Sequence, residues 1–115
     1  MESKSLNKIA RDLIRIGLKR ECKSFANKIA RFINAKRKTK DPHEFYLDLY
    51  EKVISFNKHI ASRYDYVSNS LLDITLWGLF NHGILTTKDI VNYDIKVQKS
   101  LLKELKQNGK LELSP

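Results

Sequence analysis

The chain has 115 residues, of which 42% are hydrophobic and 30% are charged, and its formal net charge is +9 at pH 7. This length predicts a single domain, 1–115, and the composition is typical of a folded soluble protein, which excludes a disordered chain. One cysteine excludes an internal disulfide, and the segment after Met1 lacks the apolar core of a secretory signal. We therefore expect a cytoplasmic protein.

The positive charge is concentrated in the first third of the chain. Residues 1–40 contain thirteen lysines and arginines against three acidic residues, whereas residues 41–115 contain nine basic and ten acidic residues. We therefore divide the predicted domain into a basic helical pair, 1–40, and the core and C-terminal helices, 41–115. An asymmetry of this kind indicates an anionic partner and does not determine the fold.

Two helices are predicted in the basic region. Apolar residues recur at helical spacing on both sides of Gly17, but on a straight helix the two apolar sets would point about half a turn apart. Glycine accepts the backbone geometry of a helix end. The pattern therefore predicts helices over 4–16 and 19–36, with a break near Gly17.

The next two helices have clearer signals. Asp41, Pro42 and Glu44 are typical of a helix start, with an N-cap, a first-turn proline and a first-turn acid, and they predict a helix over 42–64. The most apolar run of the chain follows and predicts a central helix over 69–82. Its apolar side chains point in every direction, which indicates a helix enclosed by others.

The last helix is predicted over 86–108, with Thr86 and Asp89 as a capping pair, followed by a short extended C-terminal tail. The segment 101–111 resembles the recognition helix and following strand of winged-helix proteins. This alternative moves the helix to about 95–108 and exposes four lysines on it. These are Lys96, Lys99, Lys103 and Lys106. In either case the fold class is all-α, a compact single-domain bundle of about five helices.

The leading functional hypothesis is a small non-enzymatic nucleic-acid-binding protein, or a nucleic-acid-contacting subunit of a larger complex. Cations spaced along a surface neutralise several phosphates of DNA or RNA at once. Base stacking is not predicted, because Phe25 and Phe32 lie on apolar faces. The candidate nucleic-acid-binding residues are Lys8, Arg11, Arg15, Lys19, Lys23, Lys28, Arg31, Lys36, Arg37, Lys38 and Lys40.

The main alternative is a protein-interaction adaptor or regulator whose basic surface docks on an acidic protein partner. Membrane binding is disfavoured, because the apolar faces of the basic helices lack tryptophan and are needed to cover the central helix. The sequence does not predict an oligomeric state.

An enzyme is the disfavoured class, and we predict no catalytic residue, metal site or cofactor. Glu44, Asp48 and Glu51 share one helical face and could hold a divalent ion in a hydrolase or nuclease, but solvated surface charge is the commoner use of such a pattern. Cys22 lies on an apolar face and is predicted to be a small buried residue. Asp73 is predicted to be a first-turn acid of the central helix, with an ion pair to the basic helices as the alternative.

Overall fold

A computed structural model describes residues 4–109, so the predicted C-terminal tail lies outside the described residues. Over this range the chain forms four α-helices and no strand, which confirms the all-α class and corrects the expected number of about five helices. The helices are α1 (Lys4–Lys36), α2 (Pro42–Tyr64), α3 (Leu72–Asn81) and α4 (Ile95–Lys106). Short 3-10 turns lie at Asn69–Leu71 and Thr87–Asp89.

The predicted break at Gly17 is wrong, because α1 runs through this residue without interruption. Gly17 is buried, and a Cβ atom at this position would lie 2.9 Å from Cδ1 of Leu79 on α3. The absence of a side chain thus permits α1 and α3 to pack closely. This glycine serves helix contact and does not end a helix.

The two halves of α1 bury different sides because they have different neighbours. Ala10, Leu13 and Ile14 are buried on the side that packs against α3, whereas Phe25 and Ile29 are half-buried on the side that faces α2. On a helical wheel these two sides differ by only about a quarter of a turn. A straight helix can therefore serve both neighbours.

The helix α2 begins and ends where the sequence predicts. The Asp41 carboxylate accepts hydrogen bonds from the backbone N–H groups of His43 and Glu44, at 3.1 and 3.2 Å, and so satisfies two donors of the first turn. No residue of α2 is fully buried. The helix packs against α1 through two stacked ring pairs, Phe25–Phe56 at 4.0 Å and Phe32–Phe45 at 5.4 Å between centroids.

The helix α3 is central, as predicted, and contacts both α1 and α4. Leu72, Leu76, Leu79 and Phe80 are buried, but Ile74 is half exposed, so α3 is not enclosed on every side. Its single tryptophan, Trp77, packs against the core.

Asp73 lies in the first turn of α3, as the sequence predicts. Its carboxylate accepts hydrogen bonds from the backbone N–H of Ile74 and the side-chain amide of Asn108. Within residues 4–109 it has no ion pair with a lysine or arginine. The first-turn interpretation thus describes this residue better than the ion-pair alternative.

The single helix predicted over 86–108 is wrong. Thr86 and Asp89 do form a reciprocal capping pair, but it closes only one 3-10 turn, after which the chain turns again. A second cap then starts α4, where the Asp94 carboxylate accepts a hydrogen bond from the backbone N–H of Lys96. The start of α4 at Ile95 is the one given by the winged-helix alternative.

The molecule is more extended than the predicted compact bundle, with dimensions of 56 × 28 × 23 Å. We call residues 4–17 and 65–109 the globular end, which contains the hydrophobic core. We call residues 18–64 the arm, an antiparallel pair formed by the rest of α1 and by α2. Among the described helices, none combines the length and hydrophobicity needed to cross a bilayer.

Candidate nucleic-acid interface

Four of the predicted binding residues form a line of exposed cations on one side of α1. We call Lys8, Arg15, Lys19 and Lys23 the α1 ridge; all four side chains are exposed. On a helical wheel they lie opposite Ala10 and Leu13, the side that packs on α3. The ridge spans about 22 Å along the helix axis.

The α1 ridge carries little compensating charge. Asp12 lies 3.4 Å from Lys8 Nζ and 3.2 Å from Arg15 Nη1, in ion pairs between exposed side chains. Such pairs contribute little energy, because water and salt screen them. Within the described part of the chain, Lys19 and Lys23 have no carboxylate at ion-pair distance. The ridge is therefore available to an anionic ligand.

Arg11 is turned away from the ridge into structural hydrogen bonds. Its guanidinium donates to the backbone carbonyl of Val67 at 3.2 Å and to Oδ1 of Asn69 at 2.6 Å. These bonds hold the segment between α2 and α3 against α1. A phosphate contact by Arg11 would have to compete with them.

Arg20 is likewise committed to the fold. Its guanidinium makes a bidentate contact with the Asp89 carboxylate, at 2.6 and 2.8 Å, and also donates to the carbonyl of Ile84. The hydrogen bond from Arg20 holds the pKa of Asp89 below its usual value despite partial desolvation, and the backbone N–H of Thr86 acts in the same direction. The arginine thus fixes the 3-10 turn against α1.

Glu21 is the centre of a polar network where the arm meets the globular end. Its carboxylate accepts hydrogen bonds from His59 at 2.8 Å, from Arg63 at 3.0 Å and from the Tyr64 hydroxyl. Burial raises the pKa of Glu21, but the hydrogen bonds from Tyr64 and His59 and the charge of Arg63 outweigh it, so the pKa lies below its usual value. Burial, followed by the bond to Glu21, raises the pKa of Tyr64.

A second group of predicted residues surrounds an open groove between α1 and α2. This arm-tip groove has a volume of about 740 Å³ and an apolar floor formed by Phe25, Ile29 and Phe32. Four lysines and two carboxylates line it. They are Lys28, Lys36, Lys40 and Lys52, with Asp48 and Glu51.

Lys52 is the groove residue that the sequence interpretation missed. Its Nζ lies 4.9 Å from the centroid of the Phe32 ring, a distance typical of a cation–π contact. The available signal was its position, because Lys52 lies seven residues after Phe45 and four before Phe56 and so borders the apolar side of α2. Lys40, by contrast, was predicted as a phosphate contact but is ion-paired with Asp48.

The remaining predicted residues, Arg31, Arg37 and Lys38, are exposed at other places on the arm. Arg31 lies on the side of α1 that faces away from α2, and the other two lie in the turn that follows α1. The eleven predicted cations therefore do not form one surface. The structure divides them among the α1 ridge, the arm-tip groove, structural hydrogen bonds and isolated positions.

A second basic line lies on α4. Its four lysines are exposed and share the helix side opposite the buried Leu101 and Leu105. They are Lys96, Lys99, Lys103 and Lys106, which we call the α4 ridge.

Thirteen residues separate α3 from α4, whereas a helix-turn-helix unit joins its helices by three or four. The exposed lysines match the winged-helix alternative, but the connection does not match a helix-turn-helix unit.

The carboxylates of α2 do not form a metal centre. Among residues 4–109, no three histidine, cysteine, aspartate or glutamate side chains come together as metal ligands would. Asp48 instead binds Lys40, and Cys22 is exposed rather than buried as predicted. His59 is half-buried against Glu21.

Comparison with known proteins gives no functional assignment. No family model matches the chain, and neither a curated protein nor a solved structure matches it.

Proposed function

We propose that this chain is a small non-enzymatic nucleic-acid-binding protein, acting alone or as a subunit of a larger complex, that contacts phosphates through the α1 ridge. The supporting observation is the exposure of Lys8, Arg15, Lys19 and Lys23 along one side of α1, with Asp12 as the acidic residue beside them. We also propose a cytoplasmic location, because a chain with a single cysteine forms no internal disulfide and suits a reducing compartment.

The physical basis of the proposal is counterion release. Each phosphate that a lysine or arginine neutralises releases condensed cations, so affinity falls steeply as salt concentration rises. The ridge presents cations and no aromatic side chain, which favours phosphate contacts over base stacking. We therefore expect binding with little dependence on base sequence.

The test is a fluorescence-anisotropy titration of labelled single- and double-stranded DNA and RNA at several salt concentrations. We expect the double variant Lys19→Gln/Lys23→Gln to bind more weakly than the wild type on every sequence tested. The slope of log affinity against log salt concentration should become shallower by about 2, since each lost phosphate contact removes about one unit.

Two matched variants locate the effect. Lys99→Gln/Lys103→Gln removes the same charge from the α4 ridge, and Lys58→Gln/Lys88→Gln removes it from exposed positions on neither ridge. If the α1 ridge binds phosphates, both controls keep the wild-type slope. An equal loss of affinity in all three variants would show a general effect of charge. A loss of affinity confined to the α4 variant would show that the α4 ridge, and not the α1 ridge, binds the phosphates.

The second candidate function is that of an adaptor that binds an acidic protein partner. The observation that favours it is the arm-tip groove, where an apolar floor lies beneath a rim that includes Lys28, Lys36 and Lys52. A short acidic segment with apolar side chains fits such a groove. If none of the four nucleic acids binds near physiological salt concentration, the adaptor becomes the better hypothesis.

A further inference from the structure

Tyr66 presents its aromatic ring almost entirely to solvent. Its exposed fraction is 98%, the largest among the exposed large hydrophobic residues of the described chain. It lies in the turn between α2 and α3, directly before Val67, which packs against the core. A single exposed hydrophobic side chain is common on protein surfaces. What distinguishes this one is its backbone and its position.

The backbone of Tyr66 adopts a left-handed conformation, with φ at 59°. Within residues 4–109 it is the only residue other than glycine with a positive φ. Glycine and asparagine adopt this conformation readily, whereas a bulky aromatic residue is strained in it. Such strain is concentrated at functional sites. Because the ring buries almost nothing, packing does not explain why a tyrosine occupies this position.

Hydrogen bonds hold the backbone on both sides of Tyr66. The backbone N–H of Asp65 donates to the last turn of α2 at 3.1 Å, and the carbonyl of Val67 accepts from Arg11 at 3.2 Å. Arg11 also donates to Asn69, further along the same turn. The turn is therefore fixed against α1. A ring held on such a turn is preorganised, which lowers the entropic cost of binding a ligand.

This turn lies beside the α1 ridge. Val67 and the ridge residue Arg15 line the same small cavity of about 150 Å³. Adjacent Cα atoms are about 3.8 Å apart, so Tyr66 lies one residue from this contact. The ridge has no aromatic residue of its own, and Tyr66 adds one at its edge. Asp65 is also exposed in this turn and repels phosphates, so a base is the part of a nucleotide that suits this position.

We propose that Tyr66 stacks on an unpaired base of a single-stranded nucleic acid whose phosphates contact the α1 ridge. This inference rests on the proposed function and adds the ligand class to it. Every base has a face on which an aromatic ring can stack, so the contact tolerates any sequence. In a duplex the bases are stacked on one another and out of reach. We therefore expect Tyr66 to contribute to the binding of single strands and not of duplexes.

The test is a fluorescence-anisotropy titration of Tyr66 variants with labelled single strands and duplexes. Tyr66→Asn removes the ring and suits the left-handed backbone. It should bind single strands about tenfold more weakly than the wild type, with an unchanged salt slope and unchanged duplex affinity. Tyr66→Phe keeps the ring and should bind both like the wild type. Tyr46→Ala removes an exposed ring near the opposite end of α2, and should leave both affinities unchanged.

An abasic single strand separates stacking from phosphate contact. It carries the same phosphates without bases, so the wild type and Tyr66→Asn should bind it equally. A difference that persists on this strand overturns the inference, because the loss then does not come from stacking. The thermal unfolding midpoint of Tyr66→Asn should equal or exceed that of the wild type, since asparagine relieves the strain. A lower midpoint would show that Tyr66 supports the fold, and would overturn the inference too.

The remaining outcomes separate this inference from the function on which it rests. If no nucleic acid binds near physiological salt concentration, both fail together. If binding depends on Lys19 and Lys23 while Tyr66→Asn binds single strands like the wild type, only the stacking contact is overturned and the phosphate contacts stand. An equal loss on single strands and duplexes also overturns it.

Discussion

The globular end and the arm contain similar kinds of helix but are stabilised differently. All eleven buried hydrophobic residues found in the described chain belong to the globular end, and none belongs to the arm. The arm is stabilised by half-buried side chains, the two stacked ring pairs and the Glu21 network. The difference shows that one long helix can take part in a fully buried core at one end and in a two-helix layer without fully buried residues at the other.

This comparison has a consequence for stability. Hydrophobic burial provides most of the free energy of folding, and local opening is easiest where few apolar contacts are buried. We therefore expect the arm to open at a lower free energy than the globular end. The helix α1 runs through Gly17 without a break and so connects the two regions, although the globular end contributes more of the free energy of folding.

The largest expected effect comes from truncating matched apolar residues of α1 in the two regions. Leu13→Ala should reduce the free energy of unfolding by about 2–5 kcal/mol, because it leaves a cavity in a fully buried site. Ile29→Ala should reduce it by only about 1 kcal/mol, because this side chain is only partly buried. Urea denaturation followed by circular dichroism measures both. Equal costs at the two positions would contradict the division into regions.

An intermediate effect is expected at the boundary between the regions. Glu21→Gln keeps the shape of the side chain but removes its charge. It should reduce the free energy of unfolding by about 1–3 kcal/mol at neutral pH, because the bonds to Arg63 and His59 become weaker. The measurement is the free energy of unfolding of wild type and variant between pH 7 and about pH 3, around the usual glutamate range.

The sign of the pH dependence follows from the lowered pKa of Glu21. The ionised carboxylate stabilises the folded state at pH values above the unfolded pKa of about 4.3, and this stabilisation is lost as pH falls through the lower folded pKa. The difference between wild type and Glu21→Gln should therefore be largest near neutral pH and shrink in acid. A difference that does not change with pH would show that the charge plays no part.

The smallest expected effect is on the stability of the α1 ridge variant. Lys19→Gln/Lys23→Gln should change the free energy of unfolding by less than about 0.5 kcal/mol, because both side chains are exposed and have no acidic partner within residues 4–109. Thermal unfolding measures this change alongside the binding titration. A large loss of stability would mean that these lysines support the fold, and it would remove the basis of the proposed phosphate contacts.

Local sequence signals predicted those parts of the fold that depend on local physics. The start of α2 was predicted because Asp41 and Pro42 act within its first turn. The capping pair Thr86 and Asp89 was also predicted correctly, yet the same signal closes a 3-10 turn here and not a long helix. A cap identifies where a helical turn begins but not how many turns follow.

Contacts between distant residues account for the errors. Nothing near Gly17 in the sequence shows that Leu79 packs against it, so a helix break was the simpler interpretation. Arg20 and Asp89 are 69 residues apart, and their contact could not be inferred from spacing. The same limit applies to the candidate site. Arg11 was predicted as a phosphate contact from its charge, but its guanidinium is engaged in hydrogen bonds with Val67 and Asn69, which are distant in the sequence.

The position of Trp77 makes the two regions separately observable. This single tryptophan belongs to α3 and packs against the core, so its fluorescence emission follows the loss of structure at one end of the molecule. Ellipticity at 222 nm, by contrast, sums over every helical residue, including those of α2. An arm that melts first would lower the ellipticity before the emission spectrum moves, and non-coincident curves from these two optical probes would exclude a single cooperative transition.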